Sequence, residues 1–173
     1  MKSNEFRQAK NFIFTDIQRE ISLAHASENQ SHKIALESIG IPAGGGNFLA
    51  ALGLLSYTEF GGKLKYHKKK KNGSDHASEN FNLFFDDPGV EYKKFRSEGN
   101  NVYRIFRCGL VHEYYVKNNC TIFICSKEKP IGIGHDEDGK YWFVVETYFE
   151  DLKRALKDLE RSLYPEEFTK DNE

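Results

Sequence analysis

The sequence predicts an α+β fold: a helical bundle of four to six helices with a small three-stranded antiparallel sheet inserted before the C-terminal helix. Three observations predict it. Apolar residues recur at three- and four-residue spacing over most of the chain. Between Asn118 and Glu146 that period gives way to short β-branched and aromatic runs. A long helical pattern then returns and closes the chain. At 173 residues there is length for one domain with a real core. We place that domain at residues 1–165, with a β-meander at about 119–145 and a polar tail at 166–173.

From Asn4 to about Ala26, Phe6, Ile13, Ile17, Ile21 and Ala24 form an apolar stripe between charged residues, predicting a long amphipathic helix. "SENQ" at Ser27–Gln30 has the Ser-x-x-Gln form of a capping box, so a second helix is expected from there to about Ile39. Gly40, Pro42 and the glycines 44–46 end it. "NFLAALGLLSYTEF" opens at Asn47 as N-cap and is apolar around most of its circumference, which predicts the central helix. No strand precedes the glycines and no Lys-Ser/Thr follows them, so they read as a connector and not as a phosphate loop.

"KLKYHKKKKNGSDH" carries six lysines and a turn signal at Asn72-Gly73, predicting an exposed, mobile loop. Clustered lysines gain affinity for a polyanion by releasing its counterions, so Lys68, Lys69, Lys70 and Lys71 are candidate phosphate contacts. A merely solvated loop is the alternative. "SENFNLFFDD" and "VEYKKFRSE" read as short helices, and another helix starts near Asn100. "CTIFICS", "PIGIG" and "KYWFVVE" read as the three strands, with the turn "HDEDG" before the last. In "TYFEDLKRALKDLERSLY", Phe149, Leu152, Leu156, Leu159 and Leu163 line one face and Thr147 is the expected cap.

Hydrophobic residues make up 39% and charged residues 29%, too apolar a mixture for a disordered chain. Aromatic residues reach 14%, so packing relies on large rings. A net charge of −1 gives no global attraction to nucleic acid or to an anionic membrane, and any polyanion site must be local. With no run near the ~18 apolar residues of a membrane span, and no signal-peptide core at the N-terminus, we expect a cytoplasmic protein without a membrane partner. Cys108, Cys120 and Cys125 are odd in number and form no Cys-x-x-Cys pair. Reduced thiols are expected, with no metal and no cofactor.

The unusual stretch is "NNVYRIFRCGLVHEYYVKNN", Asn100–Asn119. It sets Arg107, His112 and Tyr114 into an otherwise apolar helical pattern. A buried arginine or histidine costs several kcal/mol unless it is paired, so this helix needs a partner, a cleft or an interface. Pairing of Arg107 with Glu59 or Glu113 would satisfy it. The other solution is a phosphate site, because arginine presents a fixed cationic fork and histidine moves protons near neutral pH. Five residues of α-helix are about 140° of rotation, so Arg107 and His112 leave on different stripes. Arg104, Cys108, His112 and Tyr115 share a face.

"RCGLVHEY" fits Arg-x4-His-x-Tyr and so resembles the motif of the HEPN superfamily, most closely the HEPN toxins paired with small nucleotidyltransferase antitoxins. The resemblance implies a helical bundle that forms a homodimer with the motif helices facing each other. It implies a composite, metal-independent endoribonuclease site with RNA as substrate. By that resemblance Arg107 would stabilise the transition state and His112 would act as acid or base. Tyr114 would lie beside the site as the residue that, in some systems, the antitoxin adenylylates. Arg104 and the lysines would be accessory. Where the superfamily usually has Asn, Asp or His after the arginine, this chain has Cys108. The alternative reading is a non-catalytic interaction or dimerisation module in which the Arg/His pair is structural.

Overall fold

The computed structural model describes residues 1–42, 44–113, 116, 120–129 and 131–168. Its helices are α1 (Ser3–Ala26), α2 (Gln30–Ser38), α3 (Asn47–Tyr66), α4 (Ala77–Phe85), α5 (Val90–Ser97), α6 (Gly109–Glu113) and α7 (Val145–Leu163). The strands are β1 (Thr121–Phe123), β2 (Ile133–His135) and β3 (Tyr141–Val144). The fold is α+β, with the small sheet placed before the last helix as expected. Among the described residues there are seven α-helices where four to six were expected, and α6 continues a π-helical turn at Tyr103–Cys108.

The sheet corrects one expectation. Its order is β1-β3-β2, with β2 antiparallel to β3 and β1 parallel to it, so it is mixed and is not a meander. The reason lies in β3, whose Trp142, Phe143 and Val144 are all buried. The most apolar strand takes the middle, where both faces and both edges are covered. The Asp136–Gly139 turn folds β3 back on β2, and β1 lies parallel along the other edge of β3.

α3 is the central helix. It packs against α1, α4 and α7, and its end nearer the sheet touches β1. Its closest approach is to α4, and Gly61 and Gly62 permit it. A Cβ at Gly62 would stand 2.0 Å from the Asn80 carbonyl oxygen, and one at Gly61 would stand 2.4 Å from the Phe84 ring. Against α3 lies a core of rings, with Phe81, Phe84, Phe85, Phe106 and Phe143 wholly buried. Phe85 meets Tyr92 edge-on at 5.4 Å, and Phe143 tilts on Tyr148 at 5.2 Å. The Tyr148 hydroxyl is buried within 2.7 Å of Thr58 Oγ1, which in turn donates to the Leu54 carbonyl, so no polar atom of that trio is stranded.

Three helix starts differ from expectation. Ser27 ends α1, its hydroxyl donating to the Ala24 carbonyl, and Asn29 caps α2 by accepting from the Ser31 and His32 amides. Asn47 is the first residue of α3 and Gly46 precedes it with φ 77°. The Asn47 side chain instead donates to the Ile122 carbonyl at 2.7 Å, tying α3 to β1. Thr147 lies inside α7, because β3 runs straight into that helix at Val145 with no intervening loop. A polar residue caps a helix only when it is the last one outside, and these helices start one to three positions from the expected caps.

Candidate functional site

The lysine segment is an exposed but tied hairpin. Lys69 and Asp75 form an isolated antiparallel bridge, the Lys70 amide donates to the Ser74 carbonyl at 2.8 Å, and the turn falls at Asn72-Gly73 with φ 80° at the glycine. At its base the buried Asn80 of α4 accepts from the Lys68 amide at 2.9 Å and donates back to the Lys68 carbonyl at 3.1 Å. The segment is exposed as expected, and at its base a side-chain amide takes the place of a strand partner. Asp75 also accepts from Lys69 and lies 2.6 Å from Lys63 Nζ. Those two ammonium groups hold its carboxyl down at about 2. Lys68, Lys70 and Lys71 are exposed and make no ion pair among the described residues.

Arg107 leaves the π-helical turn beside the same hairpin. Its Nε is 2.8 Å from Glu59 Oε2 on α3, and its guanidinium lies 5.7 Å from the Tyr103 ring centroid. The Nε–H does not point at the carboxylate, so the two atoms form a close ion pair without an in-line hydrogen bond. The pairing with Glu59 is one of the two that the sequence allows. A cavity of about 280 Å³ opens here, lined among others by Glu59, Lys63, Asp75, Asn80 and Arg107. Burial, then the Glu59 charge, push the Tyr103 phenol up, so it stays protonated.

The cavity holds two cations and two carboxylates, and each cation already has its acid. An anion entering here must draw Arg107 from Glu59 or Lys63 from Asp75. The structure thus brings together two features that lie far apart in sequence, the motif arginine and the lysine hairpin, through Asp75 and Asn80. Sequence reasoning missed Lys63, Asp75 and Asn80. Asn80 in particular sits in an aromatic helix pattern with nothing local to show that it holds a loop.

His112 is on α6, exposed, and does not line that cavity. Among the described residues its side chain has no hydrogen bond or ion pair. Arg104 is exposed as well, with its amide bonded to Asn101 Oδ1. The face proposed for Arg104, Cys108 and His112 assumes unbroken α-helix. The structure has a π-helical turn at Tyr103–Cys108, so that spacing does not carry over unchanged. Tyr114 and Tyr115 lie outside the described residues. Comparison with protein-family models, curated proteins and solved structures finds no match to this chain.

No described helix is long and apolar enough to cross a membrane.

Proposed function

We propose that the chain is a HEPN-like, RNA-binding homodimer and metal-independent endoribonuclease of the cytoplasm, a toxin or defence component controlled by a nucleotidyltransferase antitoxin. The observation that carries this reading is Arg107 lining a cavity next to a lysine hairpin, with His112 exposed on the same rod and its side chain without a partner among the described residues. Within one chain Arg107 lines the cavity and His112 does not. Two copies related by a two-fold axis can present one chain's arginine and the other's imidazole to a single phosphodiester.

The chemistry needs little else. His112, unprotonated, takes the proton of a ribose 2′-hydroxyl, and that oxygen attacks the adjacent phosphorus. Arg107, drawn from Glu59 by the more highly charged phosphorane, balances the charge of the pentacoordinate state. The 5′-oxygen leaves with a proton from the second copy's protonated imidazole. The products are a 2′,3′-cyclic phosphate and a 5′-hydroxyl. Lys68, Lys70 and Lys71 extend the cationic track for the strand, and Tyr114 is the residue the antitoxin would modify.

The test is incubation of generic RNA with the protein in EDTA and, separately, with zinc, beside His112→Ala and Arg107→Ala. Cleavage by the wild type alone supports the reading. Absence of cleavage in EDTA, or equal cleavage by His112→Ala, overturns it. The Arg107–Glu59 ion pair favours a second reading, in which the rod is a non-catalytic interaction or dimerisation surface with Arg107 structural. Replacing Lys68–Lys71 by alanine separates the two, since lysines that contact phosphate flatten the salt dependence of RNA binding when removed.

A further inference from the structure

We propose that His25, Cys125 and Glu146 form a binding site for a zinc-class divalent metal ion. One ligand atom from each, imidazole nitrogen, Sγ and carboxylate oxygen, lies within 4.8 Å of the others. The three come from separate elements: the last turn of α1, the segment after β1, and the first turn of α7. The site shares no residue with the Arg107 cavity, so it stands independently of the ribonuclease reading.

The backbone builds the arrangement. Phe123 pairs with Val144 in the parallel register of β1 and β3, and Cys125 and Glu146 each lie two residues further on. The Glu146 amide donates to the Ile124 carbonyl at 2.9 Å, which clamps the cysteine segment to the start of α7. His25 reaches in from α1, its Nε2 2.7 Å from Glu146 Oε1. Its Nδ1 lies 3.7 Å from Glu28 Oε2, which puts a further carboxylate close by.

The ligand set selects the ion. Thiolate and imidazole favour zinc and its neighbours, whereas magnesium and calcium prefer all-oxygen shells. Tetrahedral zinc, with bonds of about 2.0–2.3 Å, wants ligand atoms about 3.5 Å apart. His25 and Glu146 are only half-buried, so side-chain rotation closes the remaining gap. Three protein ligands leave a fourth position for water or for Glu28. Binding forms a metal–sulfur bond, breaks the S–H bond and releases that proton to solvent, with no change of oxidation state. The ion would join α1, the sheet and α7 at one point.

The experiment is titration of reduced, chelator-stripped and desalted protein with cobalt(II) in the absence of oxygen, followed by zinc. We expect a thiolate-to-cobalt charge-transfer band that saturates at one equivalent and is abolished by zinc. The band should vanish in Cys125→Ser, weaken at least tenfold in affinity in His25→Ala and Glu146→Gln, and persist in the Cys108→Ser/Cys120→Ser double variant. As a second measurement on the unaltered protein, zinc should protect Cys125 from alkylation as mapped by mass spectrometry, whether or not the variants fold. No band with the wild type, a band that survives Cys125→Ser, or no protection of Cys125 by zinc overturns the proposal.

Discussion

Asn80 holds the backbone of Lys68 from both sides, accepting from its amide and donating to its carbonyl. One buried side chain on α4 thus does for the lysine hairpin what a neighbouring strand would do. Asn80→Ala removes both bonds and leaves the Lys68 groups to water, a loss of about 1–2 kcal/mol. The hairpin should open before the domain unfolds. Limited trypsin digestion checks this: cleavage at Lys68–Lys71 should speed up several-fold in the variant, while the melting temperature falls by only a few degrees.

Gly62 sets how closely α3 and α4 approach. Alanine would normally favour a helix interior by about 1 kcal/mol over glycine. Here its Cβ meets the Asn80 carbonyl oxygen at 2.0 Å, and backbone cannot rotate away as a side chain can. Gly62→Ala should destabilise by about 2 kcal/mol or more. Gly53→Ala on the same helix meets only the Cδ1 atoms of Ile13 and Ile17, at 3.2 Å, and should stay within about 1 kcal/mol of wild type. Urea unfolding of the two variants compares them directly.

Glu160 on α7 is nearly buried and receives Lys10 and Arg7 of α1. Burial alone would push its carboxyl up, but the hydrogen bonds from Lys10 and then Arg7 outweigh it and the net shift is downward. A depressed carboxyl contributes stability above its ordinary value of 4.5, and loses it as pH falls through the lowered one. Glu160→Gln should lose about 1–3 kcal/mol at pH 7. The gap from wild type should close on acidification below pH 4.5, as thermal melts across that range would show.

Glu59 restrains Arg107. Glu59→Gln removes the competing charge while keeping the shape, so under the proposed function the arginine is freed for phosphate. RNA affinity should rise about fivefold at fixed salt, the equivalent of about 1 kcal/mol. Filter binding or fluorescence anisotropy measures it. Unchanged affinity in Glu59→Gln would show that Arg107 does not touch the RNA.

The helices were largely legible because their signal is local. Phe6, Ile13, Ile17 and Ile21 mark α1 by spacing alone, and the same residues are buried in the structure. The strands were legible by composition, but their pairing was not. β1 joins β3 across an intervening strand, a choice made by burial of Trp142 and Phe143 and not by chain order. Cap positions failed where a side chain found a better partner elsewhere, as Asn47 did at Ile122.

By itself the sequence determined the α+β class, the order of the elements and the odd chemistry of the Asn100–Asn119 stretch, since periodicity and residue type are properties of short windows. Only the tertiary structure decided that Arg107 faces Glu59, that the lysine hairpin hangs from Asn80, and that His25, Cys125 and Glu146 converge. These are contacts between distant positions, set by which apolar faces bury against which, and no local pattern carries them.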